Sequence, residues 1–235
     1  MLHPYPPLLP QSVVERARKL SVPLLLDGVK KAGLELPRDG CMTAAIGPVE
    51  RGMKVVGTAM TVDTQNGDNF SIHVAAYSAP AEGYVMVIDG KAYEDRAYLG
   101  DLIMGACQAI GFAGIVVDGY TRDRDGNIGL GFPVFSRGFL PRAPGKGQEG
   151  EVNAVIQCGG VTVTPGDLVM GDSDGVCVIP SKYIDQVLDE AEKKHAYEVK
   201  REETIAAYRK AKAEGAPLPQ LAPQWVLDML ENQSN

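Results

Sequence analysis

Three short runs rich in β-branched residues, separated by stretches of helical character, constrain the fold of this chain most. Lys54 to Val62 alternates and is rich in Val and Thr, Tyr84 to Ile88 is apolar, and Gly114 to Val117 is apolar again. Side chains branched at Cβ are stiff in a helix and pack well on a pleated surface, so these runs predict strands. Between them, Asn69 to Ala79, halted by Pro80, and Gly100 to Ile110 predict helices. The alternation predicts βαβ units with parallel pairing. Arg122 to Ile128 follows as a turn or short helix, then Pro133 to Ser136 as a strand. A Pro- and Gly-containing segment, Pro141 to Gly150, leads into Glu151 to Gln157. Beyond it, Val161 to Val163, Asp167 to Gly171 and Val176 to Ile179 are short strands parted by turn residues, as in an antiparallel or barrel-like layer. Periodicity alone leaves a doubly wound sheet equally open.

At the flanks, the first ten residues carry four prolines and form an extended arm. Ser12 is placed to cap a helix to Leu20, and Val22 to Ala32 predicts a second that ends near Gly33. Ser181 is placed to cap a long helix reaching about Ala213. These boundaries give one α/β domain over 1–215 and a tail over 216–235, in which Trp225 to Leu230 forms an amphipathic turn.

Within that frame, Asp101 opens a helical pattern, and twenty residues separate it from Arg122-Asp123 after the third strand. A helix start offers unpaired N–H groups and the positive end of a dipole to a carboxylate or enolate. Arg122 adds a planar fork for the same anion, while Asp101 and Asp123 bring hard oxygen ligands suited to a divalent cation. The bland alternative is a surface ion pair after a strand and a simple helix cap.

The surrounding segments decide between these readings. Val55-Val-Gly-Thr-Ala-Met-Thr-Val62, Gly67-Asp-Asn69, Val87-Ile-Asp-Gly90, Gly111 to Gly119, Arg122-Asp123, Phe132-Pro-Val-Phe135, Pro165 to Val169 and Asp172 to Pro180 occur in order without a large gap. Together they resemble the RraA-like family, which includes a regulator of ribonuclease activity and metal-dependent 4-hydroxy-4-methyl-2-oxoglutarate and 4-carboxy-4-hydroxy-2-oxoadipate aldolases. The resemblance implies a three-layer β/β/α sandwich of the swivelling-domain type with a long C-terminal helix. It also implies an aldolase, because the regulators lack the first Asp of the Asp-x20-Arg-Asp spacing.

By the same resemblance, Asp123 would ligate Mg²⁺ or Mn²⁺, and Arg122 would hold the keto oxygen and carboxylate of an oxoacid. The backbone of Gly100, Asp101, Leu102 and Ile103 would cradle the pyruvyl carboxylate, and Asp101 would orient a water as proton carrier. An acidic residue of a neighbouring subunit, from among Glu198, Glu202 and Glu203, would complete the site in a trimer or hexamer. The expected reaction is cleavage of a 4-hydroxy-2-oxoacid to pyruvate, with oxaloacetate decarboxylation as a related activity. The alternative is a non-catalytic regulator of ribonuclease activity. The segment after the long helix departs from the aldolases of aromatic degradation, which leaves the distal half of the substrate open. A methyltransferase is discounted, since no glycine-rich cofactor loop with an acidic ribose ligand is present.

Other residues carry less. The nearest lysines, Lys91 and Lys146, lie in loop-like stretches, which disfavours an imine mechanism. His73 reads as a packed helical histidine rather than a catalytic one, Asn69 as a helix cap or, by its match to the family's Asp-Asn pair, a residue that positions the site, and Gly126 to Gly131 as a turn rather than a phosphate loop. A net charge of −7 and the interleaving of Lys and Arg with Glu in the long helix disfavour a nucleic-acid partner. The four cysteines, Cys41, Cys107, Cys158 and Cys177, have no Cys-x-x-Cys spacing. Without a secretory signal or a ~20-residue apolar span, a cytoplasmic protein with no membrane partner is expected.

Overall fold

The computed structural model describes residues 1–80, 82–148 and 150–233. Its strands are β1 (Gly47–Pro48), β2 (Val55–Asp63), β3 (Tyr84–Asp89), β4 (Ala97–Leu99), β5 (Gly114–Val117) and β6 (Tyr120–Thr121). They continue with β7 (Val134–Ser136), β8 (Gly138–Phe139), β9 (Ile156–Cys158), β10 (Val161–Val163), β11 (Leu168–Asp172) and β12 (Gly175–Ile179). The helices are α1 (Gln11–Arg18), α2 (Val22–Lys31), α3 (Phe70–Ser78), α4 (Asp101–Ile110), α5 (Arg124–Leu130), α6 (Ile184–Glu214) and α7 (Gln224–Gln233).

The principal sheet has the order β1-β7-β5-β3-β2-β11-β12. Its centre, β7-β5-β3-β2, is parallel, as the strand–helix alternation predicts, and β1, β11 and β12 join antiparallel. The two edges approach until the sheet nearly closes into a barrel. The expected mixed α/β fold with additional sheet and a long C-terminal helix is therefore present. The β11–β12 hairpin extends the main sheet, while β9–β10 and the parallel trio β4-β6-β8 form two smaller sheets.

The central strands are buried on both faces, which explains their continuous apolar sequence. Alternate residues serve different layers. Met86 and Ile88 of β3 pack with Ile72 of α3 and Met104 of α4, whereas Val85 and Val87 pack with Phe135, Ile156 and Val161. A third cluster joins Leu25 and Val29 of α2 to Met170, Ile179 and the start of α6 at Val187 and Leu188.

Two expected caps are replaced. α1 starts at Gln11 with Pro10 at its cap position, whose carbonyl accepts from Val13 N–H at 2.9 Å. Ser181 enters a 3₁₀ turn before α6, and its N–H is taken by Asp167 Oδ1 at 3.0 Å. The chain divides into two compact units, Met1–Ala191 and Glu192–Asn235, a boundary that falls inside α6. The second unit holds the rest of α6 and the α7 helix, where an amphipathic turn was expected.

Candidate active site

The pairing of two very short strands assembles the site. β4 and β6 run parallel with Leu99 beside Thr121, and Arg122 N–H donates to Leu99 O at 3.0 Å. The ends of both strands therefore lie side by side, and the residues that follow, Gly100 and Arg122-Asp123, meet despite their separation in sequence. In the sequence pattern Arg122-Asp123 follows β5 directly. In the structure the chain leaves β5 at Val117 and enters the second sheet first.

Gly100 caps α4 with extended backbone and no side-chain cap. The first helical bond runs from Met104 N–H to Gly100 O at 3.2 Å, so the N–H groups of Asp101, Leu102 and Ile103 have no partner within the helix. A Cβ at Gly100 would fall 2.1 Å from Asp123 Oδ2 and 3.0 Å from Arg122 Cγ, so the missing side chain makes room for the carboxylate. Asp123 itself adopts a left-handed conformation, φ 59° and ψ 53°, which non-glycine residues take up at a cost of ~1–3 kcal/mol where neighbours impose it. Asn127 is one such neighbour, with its N–H bonded to Asp123 O at 2.9 Å and its Nδ2 to Arg122 O at 2.7 Å. Arg122 Nε lies 3.2 Å from Asp123 Oδ2, with both side chains more than a third exposed.

These residues form part of a cavity of about 210 Å³ lined by Leu99, Gly100, Leu102, Ile103, Arg122 and Asp123, together with Asn69, His73, Ala143, Pro144 and Lys146. Most of the expected site is thus brought together. Asp101 is the exception, because its carboxylate packs on α5, where a Cβ at Gly126 would lie 2.4 Å from its Oδ2. The segment Gly126 to Gly131 is no free turn, since α5 runs through it to Leu130. A second hollow of about 260 Å³, bounded by Met1, Leu2, Phe70 and Val74, gathers no ionisable side chain.

Three lining residues depart from sequence expectation. Asn69 occupies the cap position of α3 but makes no capping bond, since Asp68 Oδ1 accepts from Phe70 N–H at 2.8 Å instead. Its own Oδ1 is buried without a partner. His73, one turn on, is half-buried, and burial, followed by the Lys146 ammonium, holds its pKa below the usual histidine value. Lys146 overturns the expectation that no lysine stands at the site. Lys91, by contrast, is engaged elsewhere, with Asp63 at 2.5 Å and Asp89 at 2.9 Å. The Asn69-x3-His73 spacing on a helix start was a legible signal for a shared face. Nothing local marks Lys146.

The Aldolase/RraA family, described as RraA-like, matches residues 24–178. The chain belongs to the RraA-like family. A relative from Halalkalibacterium halodurans, provisionally named a 4-hydroxy-4-methyl-2-oxoglutarate aldolase, is 43% identical over 165 residues, covering 70% of this chain and 78% of its own. The crystal structure of an uncharacterized Pseudomonas syringae pv. tomato protein superposes on this RraA-like chain with a TM-score of 0.69 at 26% identity, covering 91% of this chain and 97% of that one. A Streptomyces coelicolor structure, titled an unusual member of the RNase ES inhibitor RraA protein family, has a TM-score of 0.70 at 24% identity over 83% of this chain and 96% of its own. That last likeness shows the shared fold. No helix among the described residues of this RraA-like chain is long and apolar enough to cross a membrane.

Proposed function

We propose that this RraA-like protein is a divalent-metal-dependent aldolase that cleaves a 4-hydroxy-2-oxoacid to pyruvate and a second carbonyl compound, and that it decarboxylates oxaloacetate through the same enolate. One observation carries this reading: the Asp123 carboxylate, the Arg122 guanidinium and the open start of α4 converge on one cavity. The name of the Halalkalibacterium halodurans relative supports it.

The donor set suits magnesium or manganese. Among the described residues no group of three or more His, Cys, Asp or Glu could enclose a metal, and Mg²⁺ characteristically takes one or two carboxylates and keeps several waters. Asp123, seated in the space that Gly100 leaves, would hold the ion. A bound Mg²⁺ or Mn²⁺ supplies Lewis acidity that polarises the keto oxygen. The unpaired N–H groups of Leu102 and Ile103 receive the pyruvyl carboxylate. Arg122 stabilises the negative charge that builds on the keto oxygen as the C3–C4 pair moves into the enolate. The proton leaving the C4 hydroxyl passes to a base, and C3 takes a proton to give pyruvate. Asp101 is the proposed proton carrier, acting through water because its carboxylate lies against α5.

Assembly into a trimer or hexamer belongs to the same proposal. Leu102, at the cavity rim, is 86% exposed, and a neighbouring subunit in such an assembly would cover it. On the long helix, Glu198 pairs with Lys194 at 3.5 Å, and Glu202 and Glu203 are exposed. Light scattering tests the assembly, and a fully active monomer would refute it.

The deciding experiment measures pyruvate release from 4-hydroxy-2-oxoacids and oxaloacetate for the wild type, Arg122→Ala and Asp123→Ala. Arg122→Ala should lower kcat by ~10²-fold or more, as loss of an oxyanion donor does, and Asp123→Ala should abolish metal response and turnover together. Wild-type rates in both variants would move the ribonuclease-regulator reading ahead.

A further inference from the structure

Two of the four cysteines face each other across a β-bridge at the edge of the principal sheet. Cys41 follows the 3₁₀ turn Pro37–Gly40 with extended backbone, φ −84° and ψ 122°, and pairs antiparallel with Cys177 of β12. Met42 N–H donates to Val176 O at 2.9 Å, so the backbone bond flanks the two cysteines rather than joining them. Residues in such a non-hydrogen-bonded pair lie about 4.5 Å apart at Cα and send their side chains to the same face, within the roughly 4.4–6.8 Å that a disulfide spans. The neighbours agree on the face. Met42 belongs with Val176 and Val178 to the core on one side of the sheet, while Cys177 belongs with Leu25, Val56 and Met170 to the core on the other. Alternation along the chain puts Cys41 on the side of Cys177. The approach is close by construction, because a Cβ at Gly40, φ 84°, would fall 2.5 Å from Val178 O, and Arg38 Nε fixes the turn by donating to Cys41 O at 3.0 Å. Cys41 is partly exposed and Cys177 is buried.

We infer that Cys41 and Cys177 form an oxidative modification site, a dithiol that a hydroperoxide converts to a disulfide fastening the Pro37–Gly40 turn to β12. The Cys41 thiolate attacks the O–O bond of hydrogen peroxide and becomes a sulfenic acid, and the departing hydroxide takes up the proton that Cys41 released, giving one water. The Cys177 sulfur then displaces hydroxide from the Cys41 sulfur, and the Cys177 proton leaves with it as a second water. Two thiols lose two electrons, and one peroxide gains them. Burial, followed by the nearby Cys41, raises the Cys177 pKa and keeps that group a thiol, so Cys41 is oxidised first. Cys107 lies within α4 and Cys158 stands opposite Val161, so neither has a cysteine across from it. The pair is separate from the cavity at α4 and does not depend on the aldolase reading.

The test oxidises the reduced protein with a small excess of hydrogen peroxide, traps remaining thiols with iodoacetamide in denaturant, and maps the peptides by mass spectrometry without reduction. The expected product is a single chain whose Cys41 and Cys177 peptides are joined, with Cys107 and Cys158 alkylated. Dithiothreitol should reverse the link, and the oxidised form should melt roughly 5 °C or more above the reduced one. Cys177→Ala should leave Cys41 as a sulfenic acid that dimedone labels, and Cys41→Ser should remove both the link and the melting shift. The wild-type map decides the matter by itself if Cys177→Ala does not fold. Cys41 left as a thiol, carried to sulfinic or sulfonic acid beside a free Cys177, or cross-linked to Cys41 of a second copy overturns the inference.

Discussion

Replacing Gly100 by Ala separates the site from the fold that holds it. The backbone of Gly100, φ −130° and ψ −170°, is open to any L-residue, so the substitution introduces no torsional strain. Its Cβ, however, would lie 2.1 Å from Asp123 Oδ2, far inside the ~3.5 Å at which non-bonded heavy atoms rest, so the carboxylate must retreat by roughly 1 Å. Arg122, with Cγ at 3.0 Å and Nε at 3.2 Å from the same point, must give by a few tenths of an ångström as well. The displaced atom ends a side chain that is about 40% exposed, which keeps the stability cost small. A misplacement of ~1 Å at a reacting centre costs on the order of 10²-fold in rate. Gly100→Ala should therefore melt within a few degrees of the wild type, require much more Mg²⁺ or Mn²⁺ for half-maximal activity, and lose about 10²-fold in kcat/KM for pyruvate release. Metal titrations of initial rate, with calorimetric melting as the control, check this. Activity within twofold at unchanged metal requirement would show that Asp123 is not where the metal acts.

Four further outcomes follow from the structure. Chelation by EDTA should abolish pyruvate release and Mg²⁺ should restore it, whereas borohydride trapping of pyruvate on Lys146 together with full activity in EDTA would establish the imine route that this lysine makes conceivable. Asp101→Asn should suppress turnover while leaving oxalate inhibition intact; if it does neither and His73→Gln stops turnover instead, the proton travels through His73. Because burial and the Lys146 ammonium hold His73 below its ordinary value, the unfolded chain takes up this proton first as pH falls through ~6.5, and the folded state loses stability there. Lowering the pH from 7 to 5 should accordingly raise the melting temperature of His73→Gln relative to that of the wild type. Finally, iodoacetamide should modify Cys41 alone in the folded protein, since Cys107 is buried with its thiol pushed up to about 12 and Cys158 and Cys177 are raised by burial as well; mass spectrometry before and after denaturation reads this directly.

The elements with a strong local code are legible in the sequence. β2, β3 and β5 announce themselves through β-branched apolar runs, and α4 through its glycine start and its stop at Gly111, which adopts the left-handed C-cap with φ 102°. The chemistry of Asp123, Arg122 and a bare helix start was equally readable, because those functional groups carry their properties wherever they lie. Local pattern could not supply partners. Strands of two or three residues, such as β4, β6 and β8, have no periodicity to detect, yet their register is what sets Gly100 against Asp123. Side-chain direction escaped for the same reason. Asp101 and Leu102 are neighbours on one helix, but packing against Gly126 turns the first toward α5 while the second stands in solvent.

Residue order alone thus encodes the alternation of strands and helices, the helix start that offers free N–H groups, and the carboxylate and guanidinium groups of Asp101, Arg122 and Asp123. Which of them share a cavity is set by folding, which pairs β4 with β6, leaves Asn69 free of the capping bond that Asp68 makes, and brings Lys146 in on a loop held to Gly67 by backbone hydrogen bonds. The physical reason is that functional groups and propensities are properties of single residues and short windows, whereas proximity depends on hydrogen bonds and packing between segments far apart in the chain.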